Sequence, residues 1–219
     1  MIATHGDSIL SIETSSELGS VAVSRDGECV FEESFKADRS HNSLLFSPLA
    51  AALEACGGSP AWIVTGRGPG SYAGVRVAMA AAQGVSLSTG AGVFGLPSIC
   101  ALEADGEAPD SYFAIGNARR GDWFLARVDD GRLARPPRLV READLVESLE
   151  ILRVEDAAPP EVLTIDPDPP VAEAARAFPG AGKLARLAGG YPVDELGELA
   201  LHPLEPIYLH RPFVSQPKG

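Results

Sequence analysis

The chain has 219 residues, 45% hydrophobic and 22% charged, which suits a globular protein able to bury a core as one domain or two small ones. Its formal net charge of −12 argues against a protein that grips RNA unaided, since phosphate contacts call for a basic face. No apolar run reaches the ~18 residues of a membrane span and no basic-then-apolar leader opens the chain, so a cytosolic location is expected.

In chain order, Ser8-Ile9-Leu10-Ser11-Ile12 reads as an apolar strand ending in the polar turn Glu13-Thr14-Ser15-Ser16. Val21-Ala22-Val23 and Cys29-Val30-Phe31 flank Arg25-Asp26-Gly27, and Asp-Gly between two such runs predicts a hairpin. Leu44, Leu45, Leu49, Leu53 and Cys56 then give an apolar stripe at helical spacing, with Pro48 as a kink or a start and Gly57-Gly58 as the stop. Ala61-Trp62-Ile63-Val64-Thr65 is a short buried strand that runs into Gly66-Arg67-Gly68-Pro69-Gly70. Those glycines and the proline make a tight loop, Ser71 is a credible N-cap, and the Ala-rich stretch behind it favours helix. A strand, glycine loop and helix in succession can aim amides at an anion, or can simply turn the chain, and the spacing matches neither a P-loop nor GxGxxG. Gly74, Ala78, Ala81, Ala82 and Val85 recur three or four residues apart, a face of small side chains suited to a core contact or to a subunit interface.

Leu87-Ser88-Thr89-Gly90 stops that helix. Residues 105–110 are polar and turn-rich, which places a boundary within 103–109 and divides the chain into subdomains 1–103 and 104–219. Tyr112-Phe113-Ala114-Ile115-Gly116 and Trp123-Phe124-Leu125-Ala126-Arg127-Val128 are strands, and Val162-Leu163-Thr164-Ile165 is another, bracketed by prolines. Helices are expected over 142–149, 171–178, 181–188 and 193–201. The three cysteines, Cys29, Cys56 and Cys100, are widely separated and lack CxxC spacing, and the four histidines form no HxxxH or HxxE pair. Reduced thiols and no metal site are therefore expected, and no Ser-His-Asp, Cys-His or paired-carboxylate pattern nominates a catalytic residue.

The string Gly66-Arg67-Gly68-Pro69-Gly70-Ser71-Tyr72-Ala73-Gly74-Val75-Arg76, followed by Ala81-Ala82-Gln83-Gly84, resembles the signature of the TsaB (YeaZ) family of tRNA threonylcarbamoyladenosine synthesis. The opening strand, turn and hairpin and the closing Pro206-Ile207-Tyr208-Leu209-His210-Arg211 extend the likeness along nearly the whole chain, in which Gly92-Val93-Phe94-Gly95-Leu96 resembles the family's short strand and Pro97 to Leu102 the start of its linking helix. The resemblance implies an α/β, actin-like (ASKHA, ribonuclease H-like) fold, two subdomains each with a mixed sheet flanked by helices. It also implies a non-catalytic subunit that pairs as a heterodimer with TsaD, the transferase acting on adenosine 37, and is joined by the ATPase TsaE. It implies tRNA reached only indirectly, a homodimer when the partner is missing, and no cofactor for the isolated subunit, with ATP or ADP and Mg²⁺ placed at a complex interface. By the same resemblance Glu13, Thr14, Gly68, Gly70 and Ser71 would face nucleotide phosphates. Partner contact would fall on the helices over 40–56 and 71–87, through Leu45, Leu49, Gly74, Ala78, Ala81, Ala82 and Val85. The chain departs from the family at two acids: Glu13 stands where aspartate is common, and Asn117 stands where the second-half hairpin has aspartate. An amide cannot serve as a carboxylate base or a strong Mg²⁺ ligand. His41 aligns with a family histidine, but TsaD carries two metal-binding histidines on that helix and only one stands here, so a helix-start or surface role is expected. An actin-like ATPase or phosphotransferase using Glu13, Thr14 and the loop, and a homodimeric nucleotide-binding module, stand as alternatives.

Overall fold

The computed structural model describes residues 8–36, 41–104, 109–154 and 160–210, with side chains from residue 44 onward in the first helix. Expectations for His41's side chain, for the turn-rich 105–108 and for Arg211 lie outside the described residues.

A five-stranded array and a six-stranded one carry the fold. The first is built from β1 (Ser8–Glu13), β2 (Leu18–Arg25), β3 (Glu28–Lys36), β4 (Trp62–Gly66) and β5 (Gly92–Leu96), in the order β3-β2-β1-β4-β5. All six residues of β1 are buried, as befits a central strand with an antiparallel neighbour, β2, on one side and a parallel one, β4, on the other. Asp26 and Gly27 join β2 to β3 with φ of 52° and 83°, the two positive values that a hairpin turn of this length requires. Helix α1 (His41–Ala55) and helix α2 (Tyr72–Thr89) lie on one face of this sheet. Ser71 caps α2 by accepting from Gly74 N–H at 3.2 Å, and Gly90, with φ 77°, ends it.

The expected linking helix after Pro97 is a single 3₁₀ turn, Ser98–Ala101, followed by β6 (Leu102–Glu103). The second array takes β7 (Ser111–Arg119), β8 (Asp122–Asp129), β9 (Arg132–Leu133), β10 (Arg138–Arg141), β11 (Glu161–Thr164) and β12 (Ala175–Arg176). Its main path runs β10-β8-β7-β11-β12, with β9 beside β8. Helix α3 (Leu145–Arg153) packs Leu145 and Leu149 onto this sheet. The helix expected over 171–178 does not form. Val171 and Ala177 are buried but six residues apart, so they fall on different sides of any helix, and Ala175–Arg176 instead pairs in parallel with Leu163–Thr164. After it, β13 (Phe178–Pro179) pairs with β6, so the two passages of the chain between the sheets run side by side.

Helices α4 (Ala181–Gly189) and α5 (Val193–Leu201) come from the second half of the sequence yet cover the far face of the first sheet. Leu184, Ala185, Ala188 and Leu196 share a core with Ile9, Val64, Phe94 and Leu96. Strands β1–β5 thus precede residue 103 and β7–β12 follow it, but β6 pairs with β13 across that point and α4 and α5 pack on the first sheet. Among the described residues no helix is long and apolar enough to cross a membrane.

Candidate functional site

The glycine loop lies at the carboxyl ends of β1 and β4 and faces the second lobe across a cleft of about 990 Å³. From the first lobe Arg67, the loop and the start of α2 line it; from the second come Asn117, Arg119, Arg120 and Asp166. Residues 206–210 run through it. The lining holds four arginines against two acids, Glu17 and Asp166, in a chain whose net charge is −12. That local excess of cations favours anions.

The residues expected to meet phosphate separate into two groups. Glu13 and Thr14 are not in the cleft. Glu13 is fully buried: Ser15 N–H donates to its Oε1 at 2.5 Å, and Oε2 faces Gly66 beside the Ser98 hydroxyl. A Cβ at position 66 would overlap that carboxyl, so only glycine allows the acid to tuck beneath β4. Burial pushes the Glu13 carboxyl above its ordinary range, opposed by the hydroxyls of Ser15 and Ser98 and by the amides of Ser15 and Thr14. Thr14 turns its hydroxyl the other way and donates to the Gly74 carbonyl at 2.7 Å. Gly68, Gly70 and Ser71 do line the cleft, but donors of the loop are engaged internally. Gly68 N–H donates to Ser98 Oγ at 2.9 Å, Ser71 N–H donates to the Ser15 carbonyl at 2.6 Å, and the Ser71 hydroxyl caps α2. The loop is stitched to β1 and to the turn at Ser98.

The small-residue face of α2 also finds its partner inside the chain. Leu45, Leu49, Ala78, Ala82 and Val85 belong to one core cluster with Leu10, Ile12, Val21 and Ile63, and Ala81 packs against it half-buried. Gly74 is pressed so close to the Thr14 carbonyl oxygen that a Cβ has no room. In the single chain these residues are interior, and small because α2 must lie close against β1 and its turn. The outward strip of α2 is Ala73, Ala80, Gln83, Gly84 and Leu87, with Leu87 89% exposed, and α1 exposes Phe46 at 59%.

On the second lobe, Asn117 lies two residues before the end of β7 and lines the cleft. Its side-chain oxygen accepts from Arg119 N–H and its own N–H donates to Asp166 Oδ2, both at 2.8 Å. Asp166 thus brings a carboxylate to this strand end from the neighbouring parallel strand. The sequence reading did not single out Asp166, Arg67, Arg76 or Tyr208 as site residues; the arginines bracketing the glycine loop were the available signal. Cys29 is exposed, whereas Cys56 and Cys100 are buried, and burial pushes the Cys100 thiol up to about 12, out of reach of thiolate chemistry. Among the described residues no group of three or more His, Cys, Asp or Glu side chains is placed to hold a metal.

Residues 35–132 match the family model described as TsaD, tRNA N6-adenosine threonylcarbamoyltransferase. The chain is 29% identical over 150 residues to the tRNA threonylcarbamoyladenosine biosynthesis protein TsaB of Bacillus subtilis, an alignment covering 65% of this chain and 66% of that protein, just short of two thirds of its length. A solved structure from Pseudomonas aeruginosa, of an uncharacterized protein with similarity to peptidase YEAZ, is 25% identical with a TM-score of 0.70, over 93% of this chain and 100% of that one. YeaZ from Pseudomonas aeruginosa superposes with a TM-score of 0.66 at 23% identity, over 93% of this chain and 100% of its own, a likeness of fold. The glycine-loop signature, the family-model match and these relatives together support assignment of the chain to the TsaB/YeaZ family.

Proposed function

We propose that this chain is a non-catalytic subunit in tRNA N6-threonylcarbamoyladenosine synthesis, supporting a TsaD-type transferase that modifies adenosine 37. The observation that carries the reading is the internal use of the phosphate loop: Glu13 is buried beneath Gly66, and Gly68 N–H and Ser71 N–H are spent on Ser98 and Ser15. That engagement stiffens the loop as part of a scaffold and takes two of its amides out of reach of a phosphate. Asn117, where an acid would be needed, points the same way. The net charge of −12 supports contact with tRNA through the partner rather than directly, in the cytoplasm, with TsaE as a third component.

The contact we assign is the outward strip of α2, ending in Leu87, together with Phe46 of α1. Exposed apolar side chains on adjacent helices are the hallmark of a covered surface, and the same strip permits an isologous homodimer when the partner is absent. Light scattering after size exclusion, on the chain alone and mixed with TsaD from the same genome, tests this. A one-to-one complex is expected, weakened at least tenfold by Leu87→Arg with an unchanged melting temperature, and threonylcarbamoyl transfer by the reconstituted set should fall in parallel. Absence of any complex, with or without nucleotide, would refute the subunit reading.

The four cleft arginines favour a second reading, a module that binds ATP or ADP with Mg²⁺. Titration calorimetry with ADP and a turnover assay on the isolated chain separate the two. The subunit reading predicts no turnover; turnover lost on Arg76→Ala would establish an ATPase instead.

A further inference from the structure

The chain crosses between its lobes twice at the base of the cleft, where β6 and β13 lie paired. The segment after α5 makes a third tie, held to the second lobe by side-chain contacts. Beyond α5, which packs on the first lobe, the chain becomes extended at His202, with φ −81° and ψ 145°, and enters the cleft.

Its contacts pass from the first lobe to the second. Leu204 lies over Gly95, where the absence of a side chain admits both it and the Arg67 stem. Arg67 then grips the segment from two directions: its Nε donates to the Glu205 carbonyl at 2.8 Å, and its own carbonyl accepts from Ile207 N–H at 2.8 Å. Arg67 is itself anchored to the sheet by its N–H on the Leu96 carbonyl at 2.8 Å. One residue further, the Tyr208 hydroxyl accepts from Arg76 at 2.8 Å, and its ring lies 6.2 Å from that of Tyr72, over which the Arg76 guanidinium is stacked at 3.8 Å. Then the segment changes sides. Leu209 packs onto the second-lobe core containing Tyr112, Ala114 and Phe124, and His210 Nε2 stands 3.7 Å from Asp122 Oδ2 at the start of β8.

We propose that residues 203–210 form a clasp that holds the lobes together across the cleft, with the Tyr208–Arg76–Tyr72 stack as its latch. Two of the clasp's anchors, Arg67 and Arg76, are cleft arginines, so the closed clasp engages cations that an incoming anion would otherwise use. Releasing the latch frees Arg76 and lets the second-lobe hairpin at 117–121 swing away from the glycine loop. Tyr208 is 49% exposed and Tyr72 60% exposed, so the latch is a surface assembly able to open without disturbing either core.

Hydrogen exchange on the full chain reads the clasp directly. In Tyr208→Ala, amides at 67–71 and at 117–121 should exchange tenfold or more faster than in the parent, while β1 and β7 keep their protection. Tyr208→Phe, which removes only the hydroxyl bonded to Arg76, should show a smaller acceleration in the same two stretches. Acceleration confined to 203–210, with 67–71 and 117–121 unchanged, would overturn the proposal and leave the segment a passive cover. Should Tyr208→Ala also deprotect β1 and β7, Arg76→Ala on the outer face of α2 decides by the same two stretches.

Discussion

Set side by side, the two lobes are the same sheet built twice. In each, the first strand is central, with an antiparallel pair on one side and two parallel strands on the other: β3-β2-β1-β4-β5 in one and β10-β8-β7-β11-β12 in the other. Each follows its third principal strand with a helix, α1 or α3. The lobes part company after the fourth. The first inserts the glycine loop and the 18-residue α2; the second spans the same gap without a helix, through Pro167, Pro169 and Pro170. In both, a carboxyl group accepts from a backbone amide near the C-terminal end of the first strand, but the group comes from different sources. Glu13 comes from its own strand and is sealed in, whereas Asp166 comes from the neighbouring strand and stays at the cleft. A duplicated sheet thus supplies the frame, and the connection after its fourth strand decides which lobe is built tightly and which remains adaptable.

The largest test of that contrast is Gly74→Ala. Its Cβ collides with the Thr14 backbone carbonyl, which cannot rotate away, so about 3 kcal/mol of stability should go, read from the urea midpoint at constant m-value. A loss under 1 kcal/mol would mean that α2 is not pinned to β1 as described. Next in size is a pH effect at Glu13. Burial raises its folded-state pKa above that of the unfolded chain, so folding retains a proton. The protonated acid's full contribution is present below the ordinary carboxyl pKa and is lost as pH rises through the raised folded value, with a slope of at most about 1.4 kcal/mol per pH unit. Subtracting Glu13→Gln from the parent, unfolded in urea from pH 4 upward, should isolate that decline; parallel curves would place the carboxylate in water after all. The smallest effect is expected at Arg176, whose ion pair with Glu17 joins the lobes at the surface at 2.6 Å. With the two side chains 42% and 65% exposed, Arg176→Ala should cost about 0.5 kcal/mol or less, and that little should vanish in 0.5 M salt.

Much of this was legible before any coordinates. The apolar runs at 8–12, 61–65 and 112–116, the Asp26-Gly27 turn, the Ser71 cap and the Gly90 stop are local signals, each set by backbone sterics within a few residues, and all stand where periodicity and turn chemistry put them. Composition alone set the acidity and the absence of a zinc-type cysteine pattern. The small face of α2 was equally visible, but not what it meets. Gly74, Ala78 and Ala82 state only that something approaches closely, and an internal sheet satisfies that as well as another subunit does. Nor did the sequence tell that Glu13 turns inward under Gly66, that α4 and α5 return to the first lobe, or that Asp166 and the 203–210 segment reach the glycine loop. Those facts join residues far apart in the chain, such as Arg67 with Ile207. Local propensity acts over a turn or a strand, so it determines which elements form; which of them touch is decided by burying their apolar faces together, and only the tertiary structure records that choice.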